Sequence, residues 1–153
     1  MKAALLDLDG TCNCLAARKA ARYLTAAYDK ALAPAGLRIT QFTILNKLAR
    51  LGPMTITRLA AAMAMDRTTL ATNLKPLERD GLVEISVDPD DRRNRLVALT
   101  ASGRAKLAES EPLWKRAQQR FETGFGATKS ASLRKALEYL VSEDFVVAFG
   151  DRD

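Results

Sequence analysis

The sequence predicts a mainly α fold of the α+β kind: a helix-turn-helix carrying a β-hairpin, with long helices on either side. Three observations carry that prediction. Ile56, Leu59, Ala60 and Met63 sit at offsets 0, 3, 4 and 7, the spacing of a helix face turned toward a core. After a short turn at Met65 and Asp66, Leu70, Leu74 and Leu77 repeat that spacing in a further helix. Glu84-Ile85-Ser86-Val87 and Leu96-Val97-Ala98-Leu99 then read as two short strands, joined through a tip that holds Asp91-Arg92-Arg93-Asn94-Arg95.

Residues 13–35 read as the first helix: alanine-rich, with an uneven apolar stripe of Leu15, Leu24, Tyr28 and Leu32 that Pro34-Ala35-Gly36 ends. Thr40 is placed to cap the second helix, where Phe42, Leu45 and Ala49 share one side before Gly52-Pro53 stops it. The third is the Ile56–Met63 stripe. Asp66 is a natural cap for the fourth, because its carboxylate can accept from the free N–H groups of the first turn. Pro76 removes a backbone donor and predicts a bend or loosening near that helix's end, and Gly81 closes it. Asp88-Pro89-Asp90 turns the chain between the strands. Thr100 caps a fifth helix through Leu107, Trp114 and Phe121, which Pro112 kinks rather than ends. Residues 124–128 separate it from a last helix carrying Leu133, Leu137, Leu140 and Val141.

A chain of 153 residues is enough for one core, and nothing in it reads as a linker between independent domains. No apolar run is long enough to cross a bilayer, and Asp7 and Asp9 interrupt the apolar stretch near the N-terminus. A cytoplasmic, nucleoid-associated location without membrane contact is expected. Histidine is absent, which removes imidazole bases and ligands, and a lone Cys-x-Cys offers too few donors for structural zinc. No metal, cofactor or catalytic constellation is expected.

The net charge of +6 suggests a polyanionic partner. Its distribution makes the inference more exacting: residues 53–100 carry seven Lys and Arg against seven Asp and Glu, whereas residues 1–52 carry eight against three. Double-stranded DNA binding must therefore rest on where the cations sit. Opposite the leucines of the fourth helix lie Thr68, Thr69, Thr72, Lys75 and Arg79, with Asn73 toward one edge. Such a face can hydrogen-bond base edges and phosphates in a major groove, while the arginines of the hairpin reach the flanking backbone and minor groove. Taken alone, a threonine-rich face is also what any solvated helix presents, and an Asp-Arg pair often does no more than hold a turn.

Leu77-Glu78-Arg79-Asp80-Gly81-Leu82-Val83, Asp91-Arg92-Arg93 and Leu99-Thr100-Ala101-Ser102-Gly103, in this order of elements, resemble the MarR family of bacterial transcription regulators over residues 12–148. The resemblance implies a winged helix-turn-helix lobe at residues 40–100 and a homodimer held by flanking dimerisation helices at residues 12–36 and 101–148. Each subunit would read half of a pseudo-palindromic operator. A two-fold dimer reading half-sites about one DNA turn apart has a physical basis, as the terminal helices carry more apolar surface than one small lobe can cover. By the same resemblance Thr68, Thr69, Thr72, Asn73 and Lys75 form the major-groove surface. Arg93 enters the minor groove with Asp91 orienting it, and Arg92 and Arg95 contact phosphate or brace the hairpin.

Two signals are expected as alternatives. Cys12-Asn13-Cys14 opens the first helix, where free N–H groups, the positive dipole end and nearby Arg18 and Lys19 favour a thiolate. The family has a branch that senses organic hydroperoxides, and Cys14 lies where its cysteine is expected relative to Arg22 and Tyr28. Tyr28 resembles a tyrosine that bonds that cysteine across the dimer. The chain departs from the pattern in placing Arg18 where another tyrosine is expected, and in adding Cys12. Two cysteines two positions apart on a helix would form a strained bridge, which favours an intersubunit or mixed disulfide; packing alone also suits small half-buried thiols. The other signal is a small aromatic effector lodged between the dimer helices and the winged lobe, with Tyr23, Tyr28, Phe42 and Trp114 as wall residues or simply core.

Two further readings compete. Leu5-Leu6-Asp7-Leu8-Asp9-Gly10-Thr11 imitates the first motif of haloacid-dehalogenase-like phosphatases, whose first Asp attacks phosphorus, and Gly150-Asp151-Arg152-Asp153 faintly echoes a later one. That chemistry needs a parallel sheet behind the motif, and here helices follow at once. A winged helix that contacts protein rather than DNA is the other, against which the wing arginines argue.

Overall fold

A computed structural model describes residues 5–150. Seven helices and three strands follow in order: α1 (Asn13–Leu32), a 3₁₀ turn (Ala33–Ala35), α2 (Ile39–Leu51), β1 (Met54–Thr55), α3 (Ile56–Ala62), α4 (Arg67–Arg79), β2 (Val83–Val87), β3 (Arg95–Leu99), α5 (Ala101–Phe125), α6 (Ala127–Leu140) and α7 (Glu143–Phe149). The strands form an antiparallel sheet in the order β1-β3-β2, with Val83 opposite Leu99, Val87 opposite Arg95, and Met54 opposite Val97.

One core joins the helices to this sheet. Leu32, Phe42, Ile44, Leu45, Leu48, Leu59, Leu70, Leu74, Leu77, Val83, Val97 and Leu107 are buried together. The fourth-helix stripe explains itself: Leu70, Leu74 and Leu77 recur at helical spacing and are withdrawn from water, while Thr68, Thr69, Thr72 and Lys75 on the other side are exposed. The turn before it runs through Ala64, which has φ 51, a left-handed backbone that a Cβ disfavours. Ala64→Gly is therefore expected to stabilise the protein by about 0.5–1 kcal/mol. A thermal melt checks this; an unchanged or lower midpoint would mean that chain entropy outweighs the relieved strain.

Most helix ends form as their sequence implies. The Asp66 carboxylate accepts the Thr69 N–H at 2.7 Å, and Thr100 Oγ1 accepts the Gly103 N–H at 2.9 Å. At the end of α4, Gly81 has φ 70; its N–H donates to the Glu78 carbonyl at 3.0 Å and the Leu82 N–H to the Leu77 carbonyl at 2.8 Å, the paired bonds of a Schellman closure. Pro76 lies within α4 without ending it, as Pro112 does within α5.

Several boundaries differ from the sequence reading. Thr40 lies inside the first turn of α2 rather than capping it. The Ile39 N–H is instead taken at 2.7 Å by the carboxylate of Asp29, a residue of α1, and Gln41 accepts the Arg38 N–H at 2.9 Å. A cap borrowed from another helix leaves no local signature. The first helix stops at Leu32, where the 3₁₀ turn takes over. The break between α5 and α6 is the single residue Gly126, with φ 98, not residues 124–128. The last helix is two: Val141 and Ser142 part α6 from α7, and Ser142 caps α7 by accepting the Phe145 N–H at 3.2 Å.

The terminal helices are poorly covered. Along its 20 residues α1 buries only Leu32, α6 buries only Ser130, and α7 buries none. Leu5, Leu6, Tyr23, Leu137, Leu140, Val141, Val147 and Phe149 stand open to solvent. Isolated apolar residues on a surface need no explanation, but this many on the two chain ends leave much apolar surface uncovered. Among the described residues no helix is long and apolar enough to cross a membrane.

Candidate nucleic-acid interface

The outer face of α4 begins at the Asp66 cap. Thr69 donates both its N–H and, at 2.7 Å, its hydroxyl to that carboxylate. Those bonds, the N–H first and the hydroxyl next, hold the Asp66 pKa below the ordinary carboxylate range. The cap therefore contributes fully above that range and is lost only as the pH falls through the depressed value. Thr72 Oγ1 donates to the Thr68 carbonyl at 3.1 Å, and Asn73 Nδ2 to the Thr69 carbonyl at 2.9 Å, so their oxygens remain as outward acceptors. Lys75 is exposed on the same face.

The hairpin tip is tightly tied. Arg93 gives its Nε–H to Asp91 Oδ1 and an Nη2–H to Asp91 Oδ2, each at 3.0 Å, and its backbone N–H to Oδ1 at 3.1 Å. The paired guanidinium, ahead of the backbone bond, holds the Asp91 pKa low, and the carboxylate in turn raises that of Arg93. The Arg93 side chain is 89% exposed, so this fork fixes its direction without hiding it. An arginine has five N–H donors; three stay free here. Arg92 and Arg95 are exposed, and neither forms an ion pair among the described residues.

A second set of residues lies on the long helices. Cys12 is the N-cap of α1, with extended backbone, and its sulfur accepts the Leu15 N–H at 3.4 Å; Cys14 is in the first turn and exposed. Cys12 is thus the capping residue and Cys14 the residue within the helix. Tyr28 is 14 positions further along α1, about 21 Å at the helical rise, so the two cannot meet within one chain. The Tyr28 hydroxyl donates to Gln118 Oε1 of α5 at 2.7 Å. Burial, then the negative charge of Glu122, raises its pKa, which keeps the phenol a donor.

Tyr23 and Tyr28 also wall a groove of about 230 Å³ between α1 and α5, together with Ala117, Arg120 and Phe121. Arg120 was not singled out by the sequence, since a charged residue on a long helix usually marks a solvated face. Phe42 and Trp114, named beside the tyrosines, are elsewhere: their rings stack at 6.0 Å against the core.

Residues 37–94 match the profile of the MarR family. The chain is 35% identical over 124 residues, 81% of its own length and 76% of the other's, to the HTH-type transcriptional repressor NicR of Pseudomonas putida. It belongs to the MarR family. The M. tuberculosis regulator MosR, solved in complex with DNA, is 39% identical; the match covers 84% of this chain and 97% of that one, with a TM-score of 0.71. Bordetella bronchiseptica BpsR, solved in a study of how 6-hydroxynicotinic acid regulates its DNA binding, is 25% identical over 90% of this chain and 97% of that one, at a TM-score of 0.77.

MarR proteins are transcriptional regulators, and this member is a DNA-binding regulator rather than an enzyme. The phosphatase-like stretch before α1 is an arm folded on itself: Asp9 N–H meets Asp7 Oδ1 at 3.1 Å, Thr11 Oγ1 donates to the Asp7 carbonyl at 2.5 Å, and Lys19 pairs with Asp9 at 3.1 Å. No parallel sheet backs it among the described residues. Its faint partner motif falls on residues 151–153, outside the described residues.

Proposed function

We propose that the chain acts as a homodimeric repressor that occupies a pseudo-palindromic operator. Thr68, Thr69, Thr72, Asn73 and Lys75 would face the major groove, Arg93 the minor groove with Asp91 orienting it, and Arg92 and Arg95 the phosphates. The observation that carries this reading is the pairing of an uncovered polar face on α4 with an outward guanidinium already fixed in direction. A side chain pre-set in this way loses less freedom on binding, and an arginine entering a narrow groove senses its width. The dimer would form on residues 12–36 and 101–148, which the exposed apolar residues of the chain ends support, with residues 40–100 as the reading lobe. The site of action is the cytoplasm, on the nucleoid.

Release would come through the long helices. The α1–α5 groove suits a small aromatic acid, with rings from Tyr23, Tyr28 and Phe121 beside it and the Arg120 guanidinium, unpaired among the described residues, for the carboxylate. That NicR and BpsR are relatives, the latter tied to 6-hydroxynicotinic acid, supports this ligand class. Oxidation of Cys14 is the second route, favoured by its exposure at the start of α1. A hydroperoxide would transfer one oxygen to the thiolate, leaving a sulfenic acid and the alcohol, and a further thiol would displace water to give a mixed or intersubunit disulfide. Tyr28 would approach the partner's Cys14 across the dimer, its hydroxyl turning from Gln118 to donate to the sulfur.

Light scattering should give twice the chain mass. Mobility shifts on DNA upstream of the protein's own gene should show binding that falls steeply with salt. Organic hydroperoxide should release that DNA and reductant restore it, while Cys14→Ser stays bound throughout. Release that survives the substitution would remove the thiol from the mechanism, and lack of any shift would count against the operator itself.

A further inference from the structure

We infer that Asn94 is a positioning residue for DNA reading, which locks the Asp91 carboxylate so that Arg93 is presented outward. The inference rests on the reading of Arg93 given above. Asp91 has two carboxylate oxygens and about four lone-pair sites. Arg93 fills three, through its backbone N–H, Nε–H and Nη2–H. The fourth donor is the side-chain amide of Asn94, 3.3 Å from Oδ2. The Asn94 backbone N–H also holds the Asp91 carbonyl at 2.8 Å, closing the tip into a tight turn.

Asn94 is in turn anchored to the strands. Its carbonyl accepts the Asp88 N–H at 3.1 Å, while Asp88, 8% exposed at the foot of the wing, takes the Asp90 N–H at 2.9 Å. A chain of bonds thus runs from the buried foot through Asn94 to the carboxylate and on to the guanidinium. Asn94 itself is half-buried, whereas Arg93 and Arg92 beside it are exposed. Its amide faces the carboxylate, so its effect on DNA passes through Arg93. Without that amide, Oδ2 of Asp91 is held only by the flexible side chain that the carboxylate is meant to orient, and the backbone N–H of Arg93 fixes Oδ1 alone. An unfilled lone pair would also confront the phosphates.

The test uses full-length protein and a labelled duplex of about 24 bp, enriched by the unaltered protein from a randomised pool and so long enough for two half-sites. Kd is measured across a KCl series for Arg93→Ala, Asn94→Ala, Asn94→Asp and the Arg93→Ala/Asn94→Ala double variant, with a thermal melt of each. Asn94→Ala is expected to bind about ten-fold more weakly, as when a hydrogen bond to a charged group is lost, and to show the reduced salt slope of Arg93→Ala. Asn94→Asp keeps the size but faces Asp91 with a second carboxylate, so it should bind no better than Asn94→Ala. The double variant should bind no worse than Arg93→Ala alone, because there is no longer a guanidinium to position.

Wild-type affinity in Asn94→Ala, or a double variant whose loss equals the product of the two single losses, would overturn the positioning role. A merely structural Asn94 would lower the melt and weaken binding even when Arg93 is absent. If Arg93→Ala itself binds normally, the minor-groove reading fails instead, and the two failures are told apart.

Discussion

Gly103→Ala is expected to lower the stability of the protein by about 3 kcal/mol or more, among the larger losses that one added carbon can cause. A Cβ built on Gly103 would lie 2.0 Å from the Leu82 carbonyl oxygen and 2.6 Å from Leu99 Cδ1. The side chain could swing away; the carbonyl could not. Leu82 is fixed on one side by its own N–H, bonded to Leu77, and on the other by its carbonyl, which receives the Thr100 N–H at 3.2 Å. Thr100 adds a further tie by donating its hydroxyl to the Gly81 carbonyl at 2.6 Å. The close approach that only glycine permits is thus the contact between the segment linking α4 to β2 and the first turn of α5. A fall in melting midpoint of about 10 °C should follow for a chain of this length. Gly124, also helical, meets nothing within 4 Å, so Gly124→Ala should leave the midpoint unchanged or raise it. Equal melts for the two variants would show that α5 can shift to make room.

Arg93→Ala should weaken operator binding by about ten- to hundred-fold and reduce the salt slope by about one, the signature of a lost cationic contact. The fold should survive, because the side chain is almost wholly in solvent. Two effects add. The groove loses its cation, and Asp91, left with the residue-93 backbone N–H and the Asn94 amide on its side chain, becomes an uncompensated negative charge beside the phosphates. Asp91→Ala provides a useful contrast, since it frees Arg93 without removing it and should cost less. Titration of a labelled operator by anisotropy at several salt concentrations decides the matter. Unchanged affinity in Arg93→Ala would remove the wing tip from DNA reading.

What was legible in the sequence was what is local. Asp66 and Thr100 cap their own helices, Gly81 closes its own, and the Leu70-Leu74-Leu77 stripe needs only the helical period to reveal it. What escaped depends on distant partners. The cap of α2 comes from Asp29 on α1, and β1 is two residues long and becomes a strand only by pairing with β3. The same limit affects the candidate sites. The polar face of α4 follows from periodicity, and so do its exposed threonines. The role of Asn94 does not, because a tip asparagine looks like any turn former until its amide is seen against Asp91. Phe42, Trp114, Tyr23 and Tyr28 recur along helices in the same way, yet two stack in the core and two wall the groove beside Arg120. Side-chain partners, not periods, separate those outcomes.

The joint at Thr100 turns the long helix into a lever. With 25 residues α5 is about 37 Å long, and its near end is tied to Gly81, the residue that closes α4. Tilting it by about 5° from the far end moves that joint by about 3 Å, close to the spacing of successive base pairs. If the proposed reading holds, a disturbance around Gln118 or Arg120, small enough to leave every helix intact, would be geared up into a misfit of one base step at the α4 face.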